Sequence, residues 1–409
     1  MIAEAYTLFS RIPIYRDAQG RYATDPMWQW DLERHFDYIA QLRLCCPVIQ
    51  VEVLAPELAE LSTLSDRNVL ALRAGPGWLA VLRNLIPNGL GVYRALKTTE
   101  IAHSDGAGWP FPLSYYIWLL RPLVRVKWVV IVESAFFRMP KFGKPTLRQM
   151  LSHHLNSWLV RRCVRSADAR VFSTETFREL FLGHKAAALI APVVWVKEKD
   201  RRSSEAHAAR APTGPRRVRL IFPSRLVPDK GVQSLLDAIR LCAERGATAP
   251  EIHIMGAGDL AETCRQTAKA HPEILTQVLE PMPYGADFFA FLHAYDGLIV
   301  ASLQETGQPR ILYDALSQGL PCLASDTIAT RETVTEGQTG LLFKPGDAAS
   351  LADRLIEIAE APERMHEMGR EALTFAGRHT HESMHQVRER FLIETLHLAE
   401  GAGPNKTEE

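Results

Sequence analysis

From Val218 to Ser325 short apolar runs alternate with amphipathic stretches, and this alternation limits the fold more than any other feature of the chain. Val218–Pro223 (VRLIFP) reads as a strand, and Gly231–Arg245 places Val232, Leu235, Leu236, Ile239 and Cys242 at helical spacing. A strand at Glu251–Met255 follows, and Gly256-Ala257-Gly258 opens the next helix. The pattern then predicts a strand near Thr276–Leu279, a helix at Ala286–His293, a strand at Gly297–Ala301, a helix at Pro309–Gln318 and a strand at Pro321–Ser325. Strands joined by helices of roughly 10 to 15 residues require a parallel sheet covered on both faces. Right-handed crossovers make that sheet doubly wound. Ligands of such sheets lie beyond the carboxyl ends of the strands, so the loops that follow strands carry the chemistry.

The chain has 409 residues, enough for two domains. In the first half Asp31–Leu42 reads as a helix, and Val48–Val53, Ile101–His103, Trp128–Val132 and Ala169–Phe172 as strands. A helix with apolar Leu155, Trp158, Leu159 and Val164 precedes the last of them. This half is therefore expected to be α/β as well. Between the halves, Lys197–Arg217 (KEKDRRSSEAHAARAPTGPRR) has no apolar period and reads as a linker. The expected organisation is a domain over 1–200, a linker over 201–217 and a second domain over 218–380. The polar tail beyond Gly401 is expected to be disordered.

Lys+Arg and Asp+Glu are equal at 47 each, so overall charge draws the chain to no nucleic acid. The six cysteines include an adjacent pair, Cys45 and Cys46, and form no CxxC, which points to a reducing cytosol. No signal peptide is evident in MIAEAYTLFSRIPIY. Tyr115–Val132 (YYIWLLRPLVRVKWVVIV) is apolar but carries Arg121, Arg125 and Lys127, which argues against a membrane span. Two readings stay open for it: a helix and then a buried strand, or a basic-apolar patch resting on a membrane that carries a lipid-linked acceptor.

Two loops have the composition of an anion and sugar site. In Pro223–Gly231 (PSRLVPDKG), Arg225 follows a strand and Lys230 precedes a helix, so both cations share a strand end with a helix N-terminus. Arg binds phosphate oxygens as a fork, and Lys adds a compact charge. In Ala301–Leu316 (ASLQETGQPRILYDAL), Pro309 suits the first position of a helix. Glu305 and Asp314 are two carboxylates able to accept hydrogen bonds from sugar and ribose hydroxyls. The amides of Thr306, Gly307 and Gln308 can meet a phosphate, and Arg310 adds charge nearby.

These loops, in this order, resemble the nucleotide-binding domain of the GT-B retaining glycosyltransferases of family 4 (glycosyl transferases group 1). The resemblance runs from Arg217 to about Phe375. It rests on SRLVPDKGV, LLDAI, IHIMGAGD, LEPMPYGADFFAFLHAYDGLIVASLQE, YDALSQGLPCLAS and RETVTEGQTGLLFKPGDAASLADRL. It implies two Rossmann-like doubly wound domains facing across a cleft, with the donor in the C-terminal one. It further implies that Arg225 and Lys230 hold the donor diphosphate, Glu305 contacts the transferred sugar and Asp314 holds the ribose. Glu332 lies near the nucleotide, Met282 falls where backbone meets the base, and Gly256 joins the donor set. The helix His381–Ala399, extending to about residue 400, is expected to cross back onto the first domain.

The chain departs from the family pattern in three respects. The family's paired acids are Glu residues eight apart, whereas Glu305 and Asp314 are nine apart, and Thr306-Gly307-Gln308 replaces the usual aromatic-Gly pair. The glycine-rich N-terminal loop is also missing. On the acceptor side, His103, Asp105 and Glu133 are candidates at strand ends, and Trp28 and Trp30 are candidates for stacking on an acceptor sugar. No Asp-x-Asp occurs, so the resemblance implies transfer without a metal or other cofactor. The implied reaction moves a hexose from a nucleotide-diphosphate sugar, UDP-sugars favoured, to a saccharide or lipid-linked acceptor in bacterial surface polysaccharide synthesis. Two alternatives are an inactive carbohydrate-binding or scaffold subunit, which the altered acid spacing motivates, and another GT-B enzyme such as a nucleotide-sugar epimerase.

Overall fold

The computed structural model describes residues 1–75, 77–107, 111–135, 137, 145–183, 187–209, 217–304 and 307–398. The chain divides into two compact units, Met1–Pro192 with Met384–Glu409, and Val193–Ser383. Glu305, Thr306 and the tail beyond Gly401 lie outside the described residues.

The second unit is built on a six-stranded, all-parallel sheet. Its strands run in the spatial order Leu275–Leu279, Glu251–Met255, Arg219–Pro223, Gly297–Val300, Cys322–Ser325, Gly340–Phe343. Chain order reverses beside Arg219–Pro223, which makes this sheet doubly wound with its switch point between Arg219–Pro223 and Gly297–Val300. Every residue of Gly297–Val300 and Cys322–Ser325 is buried, as the unbroken apolar runs of strands covered on both faces require. Helices Val232–Glu244 and Ala348–Glu360 pack together over one face, and Arg310–Ser317 and Pro362–Ala376 over the other. The predicted elements are met within a residue or two, with one exception. Gly256 and Gly258 stay in a loop, and the helix begins at Ala261, because both glycines lie close against backbone, Gly256 at the Ser224 carbonyl and Gly258 at the Leu226 carbonyl.

The first unit has a ten-stranded sheet with a parallel kernel. Its order is Leu189–Ile190, Ala169–Phe172, Lys127–Val132, Ile101–Asp105, Ile2–Phe9, Ile39–Gln50, and Val69–Arg73 also pairs with Ile39–Gln50. The antiparallel hairpin Ile14–Arg16 and Tyr22–Thr24 extends the far edge, followed by Ala59–Glu60. Sequence reading left out the central strand Ile2–Phe9, since Ala3, Glu4 and Ala5 are good helix formers. Pairing on both sides, with Ile39–Cys45 and Ile101–Ser104, overrides that preference.

The expected helix Asp31–Leu42 is displaced to Pro26–Phe36. Asp25 caps it by accepting from the Met27 and Trp28 amides, with Pro26 at the first turn, and Ile39 already belongs to a strand. The expected strand Val48–Val53 is the end of that longer strand, Ile39–Gln50.

Helices Gly77–Leu96, Leu113–Leu120 and Leu147–Ser166 cover one face of this sheet. Trp28 and Leu32 of Pro26–Phe36 cover the other, with Leu392 and Leu396 of the C-terminal helix His381–Leu396. Within Tyr115–Val132 the helix ends at Leu120 and a strand, Lys127–Val132, follows with Trp128 fully buried. Among the described residues no helix is long and apolar enough to cross a membrane.

Candidate functional site

The switch point of the second unit gathers three loops. After Arg219–Pro223 the chain runs through Arg225 to Lys230 and turns into the helix Val232–Glu244 at Gly231, which has φ 70°. A Cβ on Gly231 would lie 1.8 Å from the Ala301 carbonyl oxygen, so only glycine lets the first loop lie against the third. A Cβ on Gly256 would meet the Ser224 carbonyl at the same 1.8 Å. Four backbone hydrogen bonds complete the junction: Ser224 N to Met255 O, Leu226 N to Ala257 O, Leu260 N to Leu226 O and Leu303 N to Asp229 O, all between 2.8 and 3.0 Å. The sequence-predicted Arg225, Lys230 and Gly256 are thus brought to one place with the loop that leads to Gln308 and Arg310.

Two helices start there, Val232–Glu244 and Arg310–Ser317. Neither has a side-chain cap or an acidic residue in its first turn. Among the described residues no side chain caps their leading amides, and the helix dipoles favour an anionic acceptor there. Arg225 is exposed and in no ion pair among the described residues, and Lys230 is half-buried. The geometry suits a diphosphate.

Asp314 lies on the helix Arg310–Ser317, 6% exposed. The Tyr284 hydroxyl donates to its Oδ1 at 3.0 Å. Burial pushes the carboxyl up to about 7, against the pull of that hydrogen bond and of the nearby Arg310 cation. Oδ2 has no hydrogen-bond partner among the described residues and can accept from a ligand hydroxyl. Sequence reading passed over Tyr284; its signal was the Pro283-Tyr284-Gly285 turn just before the helix Ala286–Leu292.

Gln308 serves the loop rather than pointing outward: its Oε1 accepts from Val193 N at 2.8 Å and its Nε2 donates to Val193 O at 3.3 Å. Arg310 is exposed, its guanidinium 5.7 Å from the Trp195 ring centre. Gly307 is described, half-buried between Gln308 and the undescribed pair. Glu332 follows the short helix Ile328–Arg331, and its charge adds to the burial that pushes Tyr313 up to about 12. Met282 is 38% exposed in the loop leading to Tyr284.

In the first unit the three acceptor candidates fall in different surroundings. His103 is buried, hydrogen-bonded to the Tyr6 hydroxyl at 2.8 Å, and desolvation holds it well below the usual histidine range. It adjoins a brace between two helices. His385 Nε2 lies 3.2 Å from Asp31 Oδ1, His385 Nδ1 lies 3.3 Å from the Tyr38 hydroxyl, and His35 Nδ1 lies 2.7 Å from Asp31 O. Burial pushes His385 down to about 3. Asp31, His35 and His385 are also the group among the described residues whose ligand atoms have metal-like spacing, within 4.8 Å. Those atoms are engaged in the brace.

Glu133 accepts from Arg388 of the C-terminal helix at 3.4 Å. Asp105 ends its strand near Arg11 and Tyr115. Beside them opens a cavity of about 810 Å³, lined among others by Arg11, Arg73, Arg83, Asn84, Phe111 and Tyr116. Arg11 Nη1 is buried there without a hydrogen bond among the described residues. Sequence reading missed this cavity because its residues come from five separate stretches. Trp28 is core, 8% exposed, and Trp30 is half-buried.

Residues 217–361 match the sequence profile of the family "Glycosyl transferases group 1". The chain is 22% identical over 277 residues to the alpha-D-kanosaminyltransferase of Streptomyces kanamyceticus, covering 65% of this chain and 70% of that one. It is 26% identical over 213 residues to the glycogen synthase of Mycobacterium tuberculosis, covering 51% and 49%. The chain spans about half the length of most of the curated relatives it matches.

Among solved structures it is similar to Anabaena HepE in complex with UDP, at TM-score 0.66 and 13% identity, covering 96% of this chain and all (100%) of that one. It is similar also to sucrose-phosphate synthase of Thermosynechococcus elongatus, at TM-score 0.68 and 15% identity, covering 97% and 100%. These likenesses show the fold. The two sheets match the fold of GT-B glycosyltransferases, and residues 217–361 match the glycosyl transferases group 1 profile.

Proposed function

We propose that the chain is a retaining, metal-independent hexosyltransferase that takes a UDP-sugar and extends a saccharide or lipid-linked acceptor in surface polysaccharide synthesis. One observation carries the reading: Arg225, Lys230 and two uncapped helix N-termini converge at the switch point of a sheet whose sequence matches a glycosyltransferase family. The structures of HepE with UDP, with UDP and glucose, and with UDP-glucose support a uridine nucleotide as the donor carrier.

In this reading the diphosphate lies against Arg225, Lys230 and the amides leading into Val232–Glu244. The amides of Gly307 and Gln308 and the side chain of Arg310 line its other side, and Thr306 is assigned to the same anion-binding loop from the sequence. Asp314 Oδ2 accepts from a ribose hydroxyl, Met282 and Gly256 border the nucleotide with Glu332 beyond, and Glu305 contacts the sugar. As the glycosidic bond breaks, negative charge grows on the departing phosphate, and fixed positive charge stabilises it without reorganisation. The site has the cations to do this with side chains, and the chain lacks an Asp-x-Asp metal motif. No enzyme nucleophile is required: the acceptor hydroxyl attacks from the leaving group's side, and the phosphate oxygen takes its proton. The first unit holds the acceptor, with the cavity beside Arg11 and Asp105 as its seat. The six cysteines are all buried thiols, which supports a reducing cytosol as the compartment.

Calorimetry with UDP, GDP and UMP, followed by turnover assays on a panel of UDP-hexoses with and without EDTA, tests the reading. UDP is expected to bind more tightly than the other two, and EDTA to leave the rate unchanged. Absence of binding by any nucleoside diphosphate would sink the proposal.

A further inference from the structure

Sixteen large apolar side chains stand exposed among the described residues, and eleven of them belong to one layer of the first unit. They are Leu79, Leu82, Leu85, Ile86 and Leu90 of Gly77–Leu96, Leu119 and Leu123 around the end of Leu113–Leu120, and Leu147, Leu151, Leu155 and Trp158 of Leu147–Ser166. On the outermost helices the spacing is helical, so each presents a stripe. Leu79 is 84% exposed, Ile86 74% and Leu151 62%. These helices already bury their opposite sides, through Val92, Leu96, Ile117, Val160 and Val164, in the core beneath. Apolar residues on both sides of a surface helix are not needed for the fold and call for a second contact.

The stripes are contiguous. Gly77–Leu96 packs on Leu113–Leu120, which packs on Leu147–Ser166. The Tyr116 hydroxyl donates to Leu85 O at 2.9 Å, and Trp118 meets Trp158 edge-on at 5.9 Å.

Charge says what covers them. In a chain of zero formal net charge, residues 67–99 hold five Lys or Arg and no Asp or Glu, and residues 106–166 hold ten and a single acid, Glu133. Arg83, Arg94, Arg125, Arg148, Arg161, Arg162 and Arg165 are exposed, and none is ion-paired among the described residues. Carboxylates on adjoining elements, Asp168 and Glu175, are taken by Arg121 and Arg178.

We propose that this layer docks the chain peripherally on a bilayer that contains anionic phospholipid. Leu and Trp stripes enter the interfacial zone while the arginines reach headgroup phosphates. A second copy of the chain fits less well, because a two-fold interface would set this cationic surface against itself. The inference does not depend on the proposed reaction, since a chain that transferred no sugar would still bind.

The test is flotation of the full chain with phosphatidylcholine vesicles, with and without about a third phosphatidylglycerol, where attraction to the anionic surface adds to apolar insertion. The chain should float with the mixed vesicles only. L82Q/I86Q and L151Q/L155Q should each cut the bound fraction about tenfold, and R161E/R162E should do the same while R161K/R162K binds as wild type. UDP affinity and Tm should be unchanged in all four, which separates this outcome from failure of the donor site or of folding. Wild type that stays with the soluble fraction, or glutamine variants that float like wild type, would overturn the proposal. So would a wild-type dimer that L82Q/I86Q turns into a monomer on size exclusion.

Discussion

The two units wind a parallel sheet in the same way and equip its switch point differently. In the second unit, the strand at the reversal runs through Arg225 and Lys230 straight into a helix whose first turn carries no acid. In the first unit, the central strand Ile2–Phe9 is followed by Arg11 and then by a hairpin, Ile14–Thr24, so the next helix, Pro26–Phe36, starts only beyond the hairpin and is capped by Asp25. Both places own an arginine, but only the second adds oriented backbone amides and glycines that let loops touch. A diphosphate needs that concentration of fixed dipoles and charge. The first unit instead surrounds Arg11 with Phe111, Tyr116 and Leu72, a lining suited to a partly apolar acceptor.

The largest expected effect tests this asymmetry. Lys230→Ala and Arg225→Ala should each lower turnover by about 10²- to 10³-fold with folding intact, the range for removing a group that stabilises developing charge. Arg11→Ala should leave UDP affinity within about twofold and act on the acceptor KM instead, since Arg11 lines the first unit's cavity. Equal losses of UDP binding in Arg11→Ala and Lys230→Ala, measured by calorimetry, would erase the distinction between the units.

Gly231→Ala should come next. Its Cβ would collide with the Ala301 carbonyl at a positive φ, so the first and third loops must part. UDP affinity is expected to fall at least about tenfold, with a Tm lower by several degrees, since strain of about 1–3 kcal/mol has no outlet. A wild-type Kd would show that the loops need not touch.

How much of this was legible in the sequence follows the same division. In the second unit the central strands are buried apolar runs followed by loops that carry the motifs, so local pattern and final structure agree; Arg219–Pro223 and Glu251–Met255 fall where the pattern puts them. In the first unit local preference misleads. Ile2–Phe9 has helix formers at its start, and it becomes a central strand only because Ile39–Gln50 and Ile101–Asp105 pair with it from far along the chain. His103 looked like a strand-end group, yet Tyr6, His35 and the C-terminal helix enclose it. Such surroundings are tertiary, and no window of sequence contains them. Tyr284 shows the same limit inside the donor unit: its partner Asp314 is thirty residues away.

The brace of the first unit gives a smaller, purely structural contrast. His385→Ala removes the hydrogen bonds to Asp31 and Tyr38 and leaves their buried groups unsatisfied, at a cost of about 1–3 kcal/mol. Denaturant unfolding should show that loss while UDP affinity stays unchanged. A parallel loss of nucleotide binding would mean that the units do not keep separate tasks.

The finest test concerns Asp314 and Tyr284. Because burial raises the Asp314 carboxyl from 3.8 to about 7, the folded apo chain holds a proton that the unfolded chain releases earlier. Its contribution to stability is therefore fully present below pH about 4 and is lost as pH rises through 7, by at most about 1.4 kcal/mol per pH unit. Asp314→Asn should remove that slope. A ribose hydroxyl favours the ionised carboxylate, so UDP binding should tighten from pH 5 to 8 and release protons, visible as a buffer-dependent calorimetric enthalpy. Tyr284→Phe takes away a donor that stabilises the same charge. The carboxyl should titrate still higher, and UDP should bind about two- to tenfold more weakly near pH 7, the cost of one hydrogen bond to a charged group reduced by what the ligand restores. As pH rises further and Asp314 ionises in both proteins, the gap should narrow. A pH-independent difference between Tyr284→Phe and wild type would mean that the tyrosine only shapes the pocket and leaves the charge of Asp314 alone.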